Sequence, residues 1–493
     1  MELVPPEIDS SPPENNTIMR NAGLLLLVVL SMTLSVFALL GQYGPRDPQA
    51  AVATGVMVPE TPLERVDAQR LGVVSITPRV IGSEQTWFKG NLHTHTLWSD
   101  GDDFPEIVAE WYSRQGYHFL AMTDHDRLSE GDRWINMSRA NLLSRFDRYR
   151  ASFGNSWVET RTQNGRDQVR LKPLDEFRGL FDKTGTFLLI QGEEITDHFE
   201  SAPIHVNTIN LRDAIPPQGG RSVTETIEND LAAVRAQAKK LGRSVLAIVD
   251  HPRFRDAITA EALAEARNAR FFEVYNGHPI VSHRADKTHA SVERLWDIAN
   301  TLRLGEMHAP PLYALATDDA HHYFGPGAEP GRGWIMVRAT HLTPESILQA
   351  METGGFYASS GVTLRRVDYS REKQSLEVEV VPDDQARYTI QFVGTLAGYD
   401  AKREPVTDDF RKVVATTQRY SKDVGRVLAT VEGPVARYDL TGQELYVRAV
   451  VTSTLPHKNP SLPQQVQEAW TQPVGWEKWV QPQSTPPASG NNR

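Results

Sequence analysis

The chain has 493 residues, a formal net charge of −10 and no cysteine. The length allows two to four domains of ~150 residues and a full core. The acidic balance excludes a general nucleic-acid binder, which needs a basic footprint, but not an anionic small-molecule substrate, because bound cations reverse a local field. Without cysteine there are no disulfides and no thiolate metal sites, so any metal must be held by His, Asp and Glu.

In chain order, residues 1–21 are polar, acidic and Pro-rich and read as a disordered, cytoplasmic tail. Residues 22–41 carry no charge and match the ~20 apolar residues that cross a bilayer as a helix. The run is longer than the apolar part of a signal peptide, so the expectation is a single-pass transmembrane anchor. A cleaved secretory signal ending near Ala38 is the alternative. Arg20 is the only basic residue before it, a weak orientation signal; an extracytoplasmic catalytic part is expected. Residues 42–86 read as a Pro-containing linker.

From Trp87 short apolar runs alternate with helical stretches. Strands are expected at 87–92, 118–123, 186–191, 204–209, 244–249, 271–275, 312–317 and 334–338. Ser222 and Glu225 form a capping box for a helix reaching Leu241, and Thr343-Pro344 opens another. Such alternation predicts an α/β fold with a parallel sheet or barrel. Residues 127–175, rich in Arg and Asn, read as an insertion beside its mouth. Beyond Val362 the helical pattern fades. The segments 364–369, 375–381, 387–393, 426–431 and 444–451 predict a small β-sandwich over 362–480. Residues 481–493 read as a disordered tail.

Polar residues that can bind metals recur at the carboxyl ends of these strands, the face where barrel active sites are built. His93 and His95 stand two apart, so their imidazoles share one side of a strand. Asp100 follows in a Ser-Asp-Gly turn. Thr123-Asp124-His125 ends the next strand. Gly192-Glu193-Glu194 ends the third, and of two adjacent carboxylates only one should reach the site. His205, His251 and Asp319 with His321 complete the set, with His322 pointing away. Each piece alone suits a surface strand or turn; the ordered set does not. Glu273 and Asn276 follow a strand and are read as packing and turn residues, and Arg253, Arg284, Lys287 and Arg332 as solvated charges before phosphate ligands. No nucleophile elbow, phosphate loop or dinucleotide motif accompanies them.

Together Leu92-His93-Thr94-His95, Ser99-Asp100-Gly101, Thr123-Asp124-His125, Gly192-Glu193-Glu194, His205, His251-Pro252, Asp319-Ala320-His321 and the closing Phe356–Gly361 resemble the polymerase and histidinol phosphatase (PHP) superfamily of metallohydrolases. The resemblance spans residues 87–361. It implies a distorted (β/α)7 TIM-like barrel and two or three divalent ions, Zn, Mn or Fe. It implies that His93, His95, Glu194 and Asp319 hold one ion. Glu194 would bridge to a second with His205 and His251, and Asp100, His125 and His321 would hold a third. Some relatives have histidine where Asp100 stands. The implied function is hydrolysis of a small, anionic substrate, a phosphoester first. A carboxylic ester or carbamate is the alternative on the same site, and a non-catalytic surface binding protein the alternative of another class. The sequence carries no signal of oligomeric state.

Overall fold

The computed structural model describes residues 85–138 and 142–480. Thirteen strands form one mixed sheet, numbered here in chain order. They are β1 (Thr86–Asn91), β2 (Phe119–Met122), β3 (Leu188–Phe199), β4 (Ala202–Ile209), β5 (Leu246–Val249), β6 (Phe271–Asn276), β7 (Tyr313–Thr317), β8 (Trp334–Ala339), β9 (Phe356–Ser359), β10 (Tyr388–Leu396), β11 (Arg426–Glu432), β12 (Glu444–Pro456) and β13 (Val466–Thr471). Their spatial order is β7-β6-β5-β4-β3-β2-β1-β8-β9-β13-β12-β10-β11. The helices are α1 (Pro105–Arg114), α2 (Leu142–Phe153), α3 (Leu174–Phe181), α4 (Val223–Leu241), α5 (Ala260–Glu265), α6 (Val292–Gly305) and α7 (Pro344–Glu352).

Strands β2, β6 and β7 are buried at every position, as expected for strands covered on both faces. One face meets Phe88, Phe119, Ile190, Ile248 and Val337 under α7. The other face of β6 and β7 packs on α4, α5 and α6 through Ile227, Leu263 and Trp296, and that of β2 on α1 and α3 through Val108, Tyr112 and Phe177. Helix α4 begins where the sequence places it, with the Ser222 hydroxyl accepting from the Glu225 amide at 3.1 Å. The Glu225 carboxylate reaches the Arg221 amide, one residue short of a full box. Gly242, at φ 64°, ends the helix in the left-handed conformation glycine adopts most readily. Residues 127–175 contain α2 and a three-stranded antiparallel sheet, Arg133–Asn136, Thr160–Gln163 and Arg166–Leu171. A second three-stranded sheet, Leu364–Ser370, Ser375–Val380 and Val435–Asp439, faces β10 and β12 across a core of Leu376, Val378, Ile390, Phe392 and Val447.

The expected fold needs two corrections. The structure shows a mixed α/β architecture with one large sheet and does not confirm the expected distorted (β/α)7 TIM-like barrel. Strand β4 runs antiparallel to both β3 and β5, because Glu200 turns the chain tightly between β3 and β4 without a crossover helix. The ladder runs on from β1 through β8 and β9 into β13, while β7 ends its far edge; beyond the ends of β7 and β1, Ala320 and Thr94 form a parallel bridge. The second correction concerns the membrane. No helix among the described residues is long and apolar enough to cross a bilayer, so the transmembrane helix, membrane contact and single-pass placement are unsupported. The longest described helix, α4, has 19 residues and is amphipathic, with Asp230, Lys239 and Lys240 along it. Residues 22–41, where anchor and signal were expected, lie outside the described residues, as do both expected terminal tails and the linker up to residue 84.

Candidate metal centre

Strand ends carry most of the site, but Glu194 does not end its strand as expected: it lies inside β3, which runs on to Phe199, and His205 lies inside β4. At the end of β1, Asn91 accepts the His93 amide at 2.9 Å, and the His95 amide donates to the Ala320 carbonyl at 3.0 Å. Asp319 sits at φ 48°, a left-handed conformation tolerated better by Asp than by most side chains. That kink lets its amide reach the His93 carbonyl at 3.1 Å, so the first and last site segments are stitched together. Gly101 has a steric reason: a Cβ there would lie 2.5 Å from the His95 carbonyl, so only glycine lets the Asp100 turn press against the histidine segment. Asp124 shapes the same turn by accepting from the amides of Thr96 and Ser99 and from both their hydroxyls, at 2.7–3.0 Å.

All nine residues singled out from the sequence converge. His93 Nε2 lies 3.4 Å from both Glu194 Oε2 and Asp319 Oδ1. His95 Nε2 lies 3.2 and 3.3 Å from the same two oxygens. The other Glu194 oxygen faces His205 Nδ1 at 2.7 Å and His251 Nε2 at 3.3 Å. Asp100 stands at the open side, 3.3 Å from His321 Nε2 and 3.7 Å from His125 Nε2. His125 Nδ1 is 3.0 Å from Glu194 and 2.6 Å from the Thr196 hydroxyl. The sets of side chains that could hold an ion include His93, His95 and Asp319; His125, Glu194 and His205; His95, Asp100, His125 and His321; and His93 with Asp250 and Glu273. His93, Glu194 and His251 make a further overlapping set.

The neighbouring acids take other roles. Glu193 turns away and accepts the Ile215 amide at 2.6 Å. Asp318 braces the 331–333 loop by accepting three backbone amides and the Tyr112 hydroxyl. His322 accepts the Ala328 amide.

The electrostatics are those of carboxylates and imidazoles packed closely and largely buried. Burial would push the His93 imidazole down, but Asp319, Glu273 and Glu194 outweigh it and hold His93 well above its ordinary value. His95 is likewise driven to about 10, burial being overcome by Asp319 and Glu194. Burial would raise Glu194, and His125, His93 and His205 hold it well below the usual carboxylate range. His125, dominated by burial, falls to about 4.

Sequence reasoning undervalued Glu273 and missed His278. Glu273 Oε1 accepts His93 Nδ1 at 2.7 Å, and Oε2 accepts the His251 amide at 2.8 Å, so it orients two expected ligands rather than merely packing. Asn276 donates to both Glu273 and Asp319, at 2.8 and 3.0 Å. The signal was the buried acid three residues before an Asn at a strand end. His278 lines the cavity two residues beyond Asn276. Of the four cations weighed as phosphate ligands, Arg253 is bound to Asp256 and Asp286, Lys287 to Asp409, and Arg332 to Gly277 and Asn459. Arg284 lines a different cavity.

No protein-family model and no curated protein matches the chain. Among solved structures, it is similar to a two-domain protein from Bacteroides vulgatus containing a predicted PHP-like metal-dependent phosphoesterase. That match has 15% identity and TM-score 0.35, over 79% of this chain and 95% of that one. It is also similar to a candidate metal-dependent phosphoesterase from Bifidobacterium adolescentis, at 15% identity and TM-score 0.28 over 50% and 91% of the two chains. A third match is an amidohydrolase from Chromobacterium violaceum, at 11% identity and TM-score 0.26 over 49% and 93%. At such identities and TM-scores these matches carry no argument about the reaction.

Proposed function

We propose that the chain is a metal-dependent hydrolase and that its substrate is a phosphoester. One observation carries the reading. His93 Nε2, His95 Nε2 and Glu194 Oε2 are buried without a hydrogen-bond partner, and all three face one point. Orphaned buried polar groups are costly unless something absent from the protein satisfies them. His93 Nε2 and His95 Nε2 each lie 3.2–3.4 Å from both Glu194 Oε2 and Asp319 Oδ1. Two ligand atoms ~2.0–2.1 Å from a shared ion, the usual metal–ligand distance, lie about 3.3–3.4 Å apart at a tetrahedral angle, so these nitrogen–oxygen spacings suit a common ion. The donor set of imidazole and carboxylate suits Zn, Mn or Fe.

On this reading His93, His95, Glu194 and Asp319 hold one ion. Glu194 shares a second with His205 and His251, and Asp100, His125 and His321 line a third position. Divalent ions there would acidify water and polarise the scissile oxygen, which suits hydrolysis without a protein nucleophile. The protein's own part is to fix the ligands. Glu273 holds the proton of His93 on Nδ1, which leaves the Nε2 lone pair free. Asp124 and Gly101 hold Asp100 at the open mouth.

The test is to purify the chain, count bound metals, and assay a phosphomonoester, a phosphodiester and an aryl ester. Two to three ions per chain and phosphoester turnover are expected. His95→Ala should lose at least one ion and ~100-fold or more in rate. Fewer than one ion bound, with no turnover, would sink the enzymatic reading; turnover of the aryl ester alone would change the bond.

A further inference from the structure

The cavity over the ligand cluster has a volume of 200 Å³. That is small beside the ~300–1,000 Å³ of sites for drug-sized ligands. Its floor is the His, Asp and Glu cluster; its wall is not. Phe254, Ile280 and Val281 line the wall, with His278 between them and the cluster. The Phe254 ring lies 5.2 Å from the His251 ring and 6.0 Å from that of His205. Ile280 is 65% exposed although it stands beside a charged site. A large apolar side chain held at the mouth of such a cavity is more informative than an isolated one on a surface.

The wall is fixed. The His278 amide donates to Asn276 Oδ1 at 2.9 Å, its carbonyl accepts the Val281 amide at 3.0 Å, and the Gly277 carbonyl accepts Arg332 at 2.9 Å. The Ile280 amide donates to His278 Nδ1 at 3.3 Å, so Nδ1 is the accepting nitrogen and the ring carries its proton on Nε2. The His278 ring centre is 5.2 Å from that of His321. A sugar or base in this cavity would find no hydroxyl or amide among the wall side chains to pair with; a hydrocarbon group would find three apolar ones.

Resting on the phosphoesterase reading, we propose that Phe254, Ile280 and Val281 form a subsite for the alcohol half of the substrate and that His278 Nε2–H donates to a phosphoryl oxygen. The substrate class is then the phosphate monoester of a small apolar or aromatic alcohol. Polar nucleotides and sugar phosphates fit the wall poorly.

The experiment compares calorimetric binding of phenylphosphonate and methylphosphonate to the full chain reconstituted with Zn²⁺ or Mn²⁺. Phenylphosphonate should bind about tenfold tighter. Ile280→Ser and Phe254→Leu should shrink that preference while metal content and methylphosphonate binding hold. His278→Ala should weaken both ligands about tenfold. Equal affinities in the unaltered chain would overturn the apolar subsite without any variant having to fold. A folded His278→Ala protein that binds both normally would overturn the donor role. If metals bind and neither phosphonate does, the phosphoester reading falls and takes this inference with it.

Discussion

Glu273→Gln isolates what orients the ligands from what the ligands do. The carboxylate uses both oxygens: Oε1 accepts His93 Nδ1 at 2.7 Å and the Thr317 hydroxyl at 2.5 Å, and Oε2 accepts the His251 amide and Asn276 at 2.8 Å each. An amide of the same shape has one accepting oxygen. If that oxygen stays with the His251 amide, the NH₂ faces His93 Nδ1. The imidazole must then give up its Nδ1 proton and carry it on Nε2, the atom 3.4 Å from Glu194 and Asp319. If the amide flips, His93 is kept and the His251 backbone N–H meets a donor instead. Either way one expected ligand is misdirected. Removing such a partner costs 10–100-fold in metal affinity, or about 1.4–2.7 kcal/mol. Titration against a fluorescent chelator reads this directly, with circular dichroism as the check on folding. A folded variant whose metal dissociation constant stays within about twofold of the original would refute the tautomer argument.

Two further expectations concern stability. Arg448 is buried on β12 and forks onto Asp297 of α6 at 2.8 and 2.9 Å, where Tyr446 also donates. Arg448→Ala should cost about 3–5 kcal/mol by denaturant unfolding, and Arg448→Met with Asp297→Leu should recover most of it, because the penalty is an unpaired buried charge; a loss under ~1 kcal/mol would contradict this. Burial raises the Asp230 carboxyl from 3.8 to about 7. Between those values the folded chain keeps a proton that the unfolded chain has released, so this group's contribution to stability falls as pH rises from about 4 to about 7 and then levels. Asp230→Asn should therefore gain in melting temperature relative to the original across pH 5–8, and a pH-independent difference would count against it.

The strands were readable because their burial is written in their composition. All eight expected runs between residues 87 and 338 became strands, with ends within two residues except where β3 runs on from the expected residue 191 to Phe199, since FLAM, FFEVYN and YALAT can be satisfied only between two covered faces. Strand direction was not readable. Whether β3 returns directly as β4 or crosses over through a helix depends on a short connection, and two residues, Glu200 and Ser201, separate those strands. Nor was the continuity of the sheet. The pairing of Tyr357 with Thr471 joins positions more than a hundred residues apart, and no local pattern encodes such a partner.

The site divides along the same line. Spacing of two predicted that His93 and His95 face together, and they do, although both lie past the end of β1 and flank the bridge at Thr94. The same rule sent Glu193 away from Glu194 and on to Ile215. Asp319 and His321 also converge, but by a different cause: the left-handed turn at Asp319 aims them, and extended strand geometry does not. Glu273 escaped because its role is relational. A buried glutamate on a strand looks the same in sequence whether it meets solvent, a helix dipole or an imidazole. Only the meeting of β6 with the end of β1, 180 residues apart, turns it into the partner of His93. Ligand positions are thus legible from local periodicity, while the groups that set a ligand's proton depend on contacts between distant strands. That makes Glu273 and His278, rather than the nine expected ligands, the residues at which a change should alter behaviour without emptying the site.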